Sequence, residues 1–323
     1  MACWWEKQRA TGLVRHDPRL LVLHGVGEAC GEYGWGTVFY SKAREDYKTR
    51  VGSLPEKRAA TFDLDLMSRL LFARAGGLNV AANPNSIVPG HLVVWPEEKR
   101  ERLTLQDLAD VSRLARAQTG WTFIHNMERA AASIVDWAHF QAYPWEFPLA
   151  HWEAGETIHD AASVRVSRLA DTYPAYVLSA ETGSARRLAA WLFGMLRAFA
   201  AGGGGDDDVA GRQSVPCNIV WRGARAWLIP RSAAQSALAA TYVGALEMGG
   251  LFCLPNADSL RRYLPDALRA EVRGASVVDE PATRVWCERV ARETAGALDS
   301  VSDSVADWVD DSAGDAFDGG AAT

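Results

Sequence analysis

His139 and Gln141 are the two residues of this 323-residue chain whose types and spacing support chemistry. Both lie in Ser133-Ile134-Val135-Asp136-Trp137-Ala138-His139-Phe140-Gln141-Ala142-Tyr143. A strand over this stretch puts Val135, Trp137, His139 and Gln141 on one side, and Asp136, Ala138, Phe140 and Ala142 on the other. A neutral imidazole is a nucleophile near pH 7. An amide two residues along the same face can hydrogen-bond the charge that develops on the attacked group. A lone histidine in an apolar run is also a common core residue, so the pair reads as a site only in a suitable setting.

The elements that must position the pair follow from periodicity and turn chemistry. Asn83 to Gly90 is a turn-rich approach to a strand, His91-Leu92-Val93-Val94-Trp95, stopped by Pro96. Leu103 to Ala117 is an amphipathic helix opened by Thr104, with Asp107 in its first turn. A strand over 121–125 then leads through Asn126 towards His139. Earlier, strands are expected over 20–24, before the Gly25-Val26-Gly27 turn, and over 36–40. A helix is expected over 62–75, broken by Gly76-Gly77, and a strand over 78–82. His151 to Asp160 offers metal-ligand types, but Gly155 interrupts it and no i, i+4 histidine pair is present, so it reads as a polar loop covering a cleft.

The second half repeats the first in outline. It has strands over 164–166 and 175–178, a strong helix over 185–201, a Gly- and Asp-rich loop over 202–208, and a hairpin of 218–221 with 225–229. Helix-like segments begin at Ala233 and Asn256, and an acidic tail from Val301 is expected to be disordered. This order of strands and long helices is an α+β arrangement.

The stretch Gly90-His91-Leu92-Val93-Val94-Trp95-Pro96, followed by His139-Phe140-Gln141, resembles the histidine-triad superfamily. His139-Phe140-Gln141-Ala142-Tyr143 with Phe147-Pro148-Leu149 is similar to the GDP-hexose phosphorylases, which include the plant GDP-L-galactose phosphorylases. Other segments fit in order across roughly residues 12 to 255. They are Gly12 to Asp17, Tyr33-Gly34-Trp35 with Lys42-Ala43-Arg44, Pro216 to Val220, and Trp227 to Arg231.

The resemblance implies a duplicated histidine-triad-like fold with an antiparallel sheet and flanking helices. Residues 1–160 would form the first half, 161–298 the second, and 299–323 the acidic tail. It implies that His139 attacks the α-phosphorus of a GDP-hexose, hexose 1-phosphate leaves, and inorganic phosphate resolves the guanylyl-histidine to GDP. Gln141 would bind a non-bridging oxygen. Ser133, Lys42 and Arg44 would approach phosphates, Asn126 phosphate or ribose, Asn83 the ribose, and Arg231 the leaving sugar phosphate.

No metal or other cofactor is implied. Two departures bear on this. Trp137 stands where the family has the first histidine of its motif, which leaves Asp136, by way of a bulge, or His125 to orient the imidazole. Leu251 stands where a histidine normally follows Glu247-Met248-Gly249-Gly250. Two alternatives stay open: transfer from another nucleotide (an ADP- or UDP-sugar or a dinucleoside polyphosphate), and nucleotide binding without turnover.

Composition bounds the function further. At 48% hydrophobic and 23% charged, the chain has the balance of a globular protein. A net charge of −6 argues against nucleic acid as partner, although much of that charge lies in the tail, which has no Lys or Arg from Asp299 onward. The cysteines, five in number and without any CxxC pair, read as free thiols of a reducing compartment. Without a leader pattern or an apolar run of membrane-spanning length, the expected location is cytoplasmic, as a monomer or homodimer.

Overall fold

The computed structural model describes residues 21–26, 36–41, 61–132, 134–202, 214–232, 243–254 and 265–300. Strands β1 (Leu21–Val26) and β2 (Gly36–Ser41) pair antiparallel. The next ten strands form one antiparallel sheet. They are β3 (Leu71–Ala75), β4 (Leu78–Ala82), β5 (Leu92–Pro96), β6 (Thr122–Asn126), β7 (Phe140–Tyr143), β8 (Ala154–Asp160), β9 (Arg165–Leu169), β10 (Leu178–Glu181), β11 (Cys217–Arg222) and β12 (Arg225–Pro230). A last strand, β13 (Leu251–Leu254), returns parallel to β2 and completes a separate three-stranded sheet.

The spatial order of the large sheet is β3-β4-β5-β7-β6-β11-β12-β10-β9-β8. Five strands in the order β3-β4-β5-β7-β6 are thus matched by five in the order β8-β9-β10-β12-β11. In each set a helix precedes the last two strands: α2 (Leu105–Ala117) in the first and α3 (Ala185–Ala201) in the second. The topology is a duplication, and the two sets meet where β6 pairs with β11 through Asn126↔Asn218, His125↔Ile219, Ile124↔Val220 and Phe123↔Trp221. The other helices are α1 (Leu64–Leu70), α4 (Ala245–Met248), α5 (Pro265–Ala275) and α6 (Pro281–Asp299). Among the described residues no helix is long and apolar enough to cross a membrane.

Alternation along the strands divides the core between the sheet's two faces. Phe140, Ala142 and Phe123 join Leu108, Val111, Leu188 and Trp191 of α2 and α3 on one face. Ile124, Tyr143, Val220 and Ile229 join Val38, Phe39, Phe252 and Cys253 of the small sheet on the other. The start of α2 is as the sequence indicates, a capping box in which Thr104 and Asp107 each bond the other's backbone N–H.

Several expectations are corrected. The strand drawn over 133–143 is regular only from Phe140. Before it, Ala138 N–H donates to Arg100 O (2.6 Å), and the Asp136 carboxylate accepts from Phe62 N–H and Lys99 Nζ, both at 3.2 Å. The chain here is therefore held by the loop after β5 and by the segment before α1, not by a neighbouring strand.

The helix over 62–75 is helical only to Leu70. Gly76-Gly77 is the two-residue turn of a β3–β4 hairpin, with Gly76 at φ +60° and Ala75 paired to Leu78. The segment 154–160 is not a cleft loop but the exposed edge strand β8, which pairs with β9 and so belongs to the second set. Leu178 opens β10, three residues after the start expected for the strand over 175–178. The segments beginning at Ala233 and Asn256 lie outside the described residues at those starts, as does the tail from Val301.

Candidate active site

His139 sits at the mouth of β7, 8% exposed. Its Nδ1–H donates to the backbone carbonyl of Trp137 at 3.0 Å. That bond fixes the tautomer and leaves the lone pair on Nε2, which makes no hydrogen bond among the described residues. Burial holds the imidazole below its ordinary value of 6.5, against the opposing pull of the Trp137 carbonyl and the Asp136 charge, so the ring is neutral at pH 7.

The orienting group is thus a main-chain oxygen. Neither Asp136 nor the His125 imidazole hydrogen-bonds the ring. His125 instead donates Nδ1–H to the carbonyl of His139 itself, at 2.8 Å. Burial takes His125 down to about 4, against the effect of that same hydrogen bond.

The Trp137 side chain serves packing. Trp137 is 6% exposed, its indole N–H reaches Pro96 O at 3.3 Å, and its ring lies 5.0 Å from Phe62 beneath Lys99. Position 137 therefore serves His139 through its carbonyl, which any side chain supplies.

Gln141 is half-buried and points to the face opposite α2 and α3, between Val93 of β5 and Ile124 of β6. Its Oε1 accepts two hydrogen bonds, from Tyr143 Oη at 2.6 Å and His91 Nε2 at 2.9 Å. Ile87 N–H is directed at His91 Nδ1 (3.4 Å) and requires an acceptor there, which makes Nε2–H the donor to Gln141 and leaves Asn83 Nδ2, 3.1 Å from that same nitrogen, a contact of two donors and not a hydrogen bond. Stacking on Tyr143 at 4.4 Å holds the His91 ring in place. With Oε1 doubly occupied, Gln141 offers its NH2 as a donor.

Asn83 belongs to the same cluster. Its Oδ1 accepts from Asn85 N–H (2.8 Å), and its Nδ2 lies 3.1 Å from His91 Nε2. Asn126 ends β6 and follows His125, whose ring bonds the His139 carbonyl. Its Oδ1 accepts from Ala245 N–H and from Asn218 Nδ2, both at 2.7 Å.

Arg231 is buried and donates from Nη1 to Asn218 Oδ1 at 2.5 Å, so it joins the cluster through Asn218. Burial lowers its guanidinium to about 10, with the Glu247 charge opposing, and it remains protonated at pH 7. Ser133, Lys42 and Arg44 lie outside the described residues. Among the described residues no three His, Cys, Asp or Glu side chains gather as metal ligands.

Sequence reasoning assigned no role to His91, Tyr143 or Asn218. His91 and Tyr143 were legible as a pair only once β5 and β7 are known to be neighbours. Asn218 required knowing that β11 lies against β6.

No protein-family model and no curated protein matches the chain. Solved structures do match. The crystal structure of yeast Ap4A phosphorylase Apa2 aligns with a TM-score of 0.61 at 13% identity, over 84% of this chain and 92% of that one. The same protein in complex with Ap4A aligns at 0.59 and 12% identity, over 85% and 95%. What the two share is the fold. A mixed α+β fold, with a large antiparallel sheet flanked by helices and built by duplication, is therefore common to this chain and Apa2.

Proposed function

We propose that the chain is a nucleotidyl-transferring enzyme that acts by double displacement through His139. The observation that carries this is the tautomer lock. Nδ1–H is tied to Trp137 O, so Nε2 keeps its lone pair, makes no hydrogen bond among the described residues, and stands two residues before an amide oriented as a donor.

In the first step the Nε2 lone pair forms a bond to the α-phosphorus of a nucleoside phosphoric anhydride. The bond from phosphorus to the bridging oxygen breaks, and that oxygen leaves with the electron pair. The ring becomes cationic as it is phosphorylated, and Trp137 O, still accepting from Nδ1–H, stabilises it. The Gln141 NH2 donates to a non-bridging oxygen where charge accumulates. In the second step an oxygen of inorganic phosphate attacks the same phosphorus, and the neutral imidazole leaves. Two inversions give net retention at phosphorus.

Asn126 is assigned to the phosphoryl oxygens and Asn83 to the ribose. Ser133, Lys42 and Arg44 are assigned to the phosphates, and Arg231 acts from behind Asn126. The two sets of strands are the two histidine-triad-like halves. Likeness of fold to an Ap4A phosphorylase favours a dinucleoside polyphosphate as substrate. The motif His139-Phe140-Gln141-Ala142-Tyr143 with Phe147-Pro148-Leu149 favours a second reading, phosphorolysis of a GDP-hexose.

The test is intact-protein mass spectrometry after brief mixing with Ap4A, ADP-glucose, UDP-glucose or a GDP-hexose, without phosphate. An acid-labile nucleoside-monophosphate adduct on wild type, absent from His139→Ala, is the expected result, and its mass identifies the base. Binding of a nucleotide with no adduct from any donor would overturn turnover through His139 and leave a nucleotide-binding protein.

A further inference from the structure

A chain of hydrogen bonds begins in the second set of strands and ends at Asn126, next in sequence to His125, which bonds the His139 carbonyl. A backbone N–H is a donor in every state, so the Asn126 atom 2.7 Å from Ala245 N is its carbonyl oxygen. The Asn218 atom that meets this oxygen also meets Ala130 O, both at 2.7 Å, and is therefore the amide nitrogen. Asn218 Oδ1 must then face the other way, where Arg231 Nη1 donates to it at 2.5 Å. Arg231 is in turn fixed by Nη1 to Val243 O (2.6 Å) and by Nε to Ala275 O (2.7 Å). Every amide orientation in the chain follows from a group whose role is unambiguous.

The result is a polarity. Two donors occupy Oδ1 of Asn126, while its Nδ2 makes no hydrogen bond among the described residues, on a side chain that is half-exposed. Gln141 has the same arrangement, with its oxygen doubly taken and its NH2 left over. Two amides, Gln141 two residues after His139 and Asn126 next to His125, thus present donors, which matches phosphoryl oxygens and disfavours a cation.

Resting on the proposed role of His139, we infer that Asn218, held by Arg231, is a positioning residue. It turns Asn126 so that the Asn126 NH2 meets an oxygen of the phosphoryl group under attack. Arg231 then acts through Asn218 and sets the direction of an amide from the other half of the molecule. Asn218 itself is fully buried and touches no ligand.

The experiment follows the Asn126 side-chain NH2 by NMR in the 15N-labelled full chain, titrated separately with AMP, GMP and inorganic phosphate. Asn218→Asp keeps an acceptor for Arg231 but puts an oxygen where Asn126 and Ala130 need a donor. In wild type the Asn126 NH2 signals are expected to shift on adding at least one probe. In Asn218→Asp that response is lost and affinity for the same probe falls on the order of 10- to 100-fold, the size of one hydrogen bond to a charged group.

A wild-type Asn126 amide that ignores all three probes, or an Asn218→Asp variant that binds and shifts like wild type, overturns the inference. If Asn218→Asp fails to fold, Arg231→Lys takes its place, with the same loss expected and an unchanged titration overturning the inference. The two readings separate cleanly. An adduct on His139 without any Asn126 response rejects the positioning role alone, whereas an Asn126 response without any adduct rejects covalent turnover alone.

Discussion

The imidazole of His91 donates its Nε2–H to the amide oxygen of Gln141 across 2.9 Å, so a residue just ahead of β5 decides which end of Gln141 faces the site. Ile87 N–H holds the tautomer and Tyr143 holds the ring plane.

His91→Phe keeps the stack on Tyr143 but removes the donor and leaves Ile87 N–H without its acceptor. We expect turnover to fall roughly 10- to 100-fold with KM changed by less, because an amide free to rotate costs most where charge develops. Steady-state kinetics on whichever donor forms the adduct would measure this; an unchanged kcat would reject the role given to His91.

The Trp137 side chain is expected to matter for stability and not for turnover. Its carbonyl orients His139, so Trp137→Phe should form the adduct at a rate within a few-fold of wild type. Trp137→Ala should lose about 3–5 kcal/mol of stability through the cavity left against Phe62. Urea unfolding and single-turnover mass spectrometry separate the two effects. A large loss of adduct formation in a folded Trp137→Phe variant would show that the indole itself acts in the chemistry.

His125 sets a pH dependence. Its folded pKa, about 4, lies below the ordinary 6.5 because burial disfavours the charged ring, against its bond to the His139 carbonyl. Between these values the unfolded chain binds the extra proton, so stability rises with pH there. The contribution is fully present above about 6.5 and is lost as pH falls towards 4, on the order of 3 kcal/mol in total. Denaturation midpoints of wild type and His125→Gln between pH 4 and 7 should converge at low pH; parallel curves would exclude His125 as the source.

The loop between β6 and His139 carries strain. Arg129 and Ala131 have φ of +64° and +71°, a region that L side chains enter at a cost. Ala131→Gly should stabilise the protein by about 0.5–1 kcal/mol. A midpoint shift downwards in urea would mean that the Ala131 methyl contributes more than its backbone costs.

The parts of this fold that were legible are those fixed by local chemistry. The α2 capping box needs only Thr104 and Asp107. The β11–β12 hairpin needs only two apolar runs and the Gly223-Ala224 turn, where Gly223 takes φ +58°. The two-residue spacing of His139 and Gln141 is read without any knowledge of the neighbours, but the shared strand face expected of them is not, because the strand begins only at Phe140.

What was misread depends on partners distant in sequence. Leu64, Leu66, Leu70 and Leu71 have helical spacing, yet pairing with β4 takes Leu71 into a strand, and Gly76-Gly77 then turns the hairpin instead of merely ending a helix. Nothing near Thr157 signals a strand, since its segment is mostly exposed and finds its pairing in β9. Asp136 left the strand pattern because Lys99 and Phe62 N–H hold its carboxylate.

Because β6 and β11 are stitched by four consecutive backbone pairs, the two halves share one unbroken sheet. Rotating one half against the other, as two-lobed enzymes do when they shut a cleft, would tear that ladder. Gating by lobe closure is thus closed to this architecture along its central seam. What shields the His139 ring is then local packing, with Phe62 lying against both Trp137 and His139, and not the closing of one half on the other.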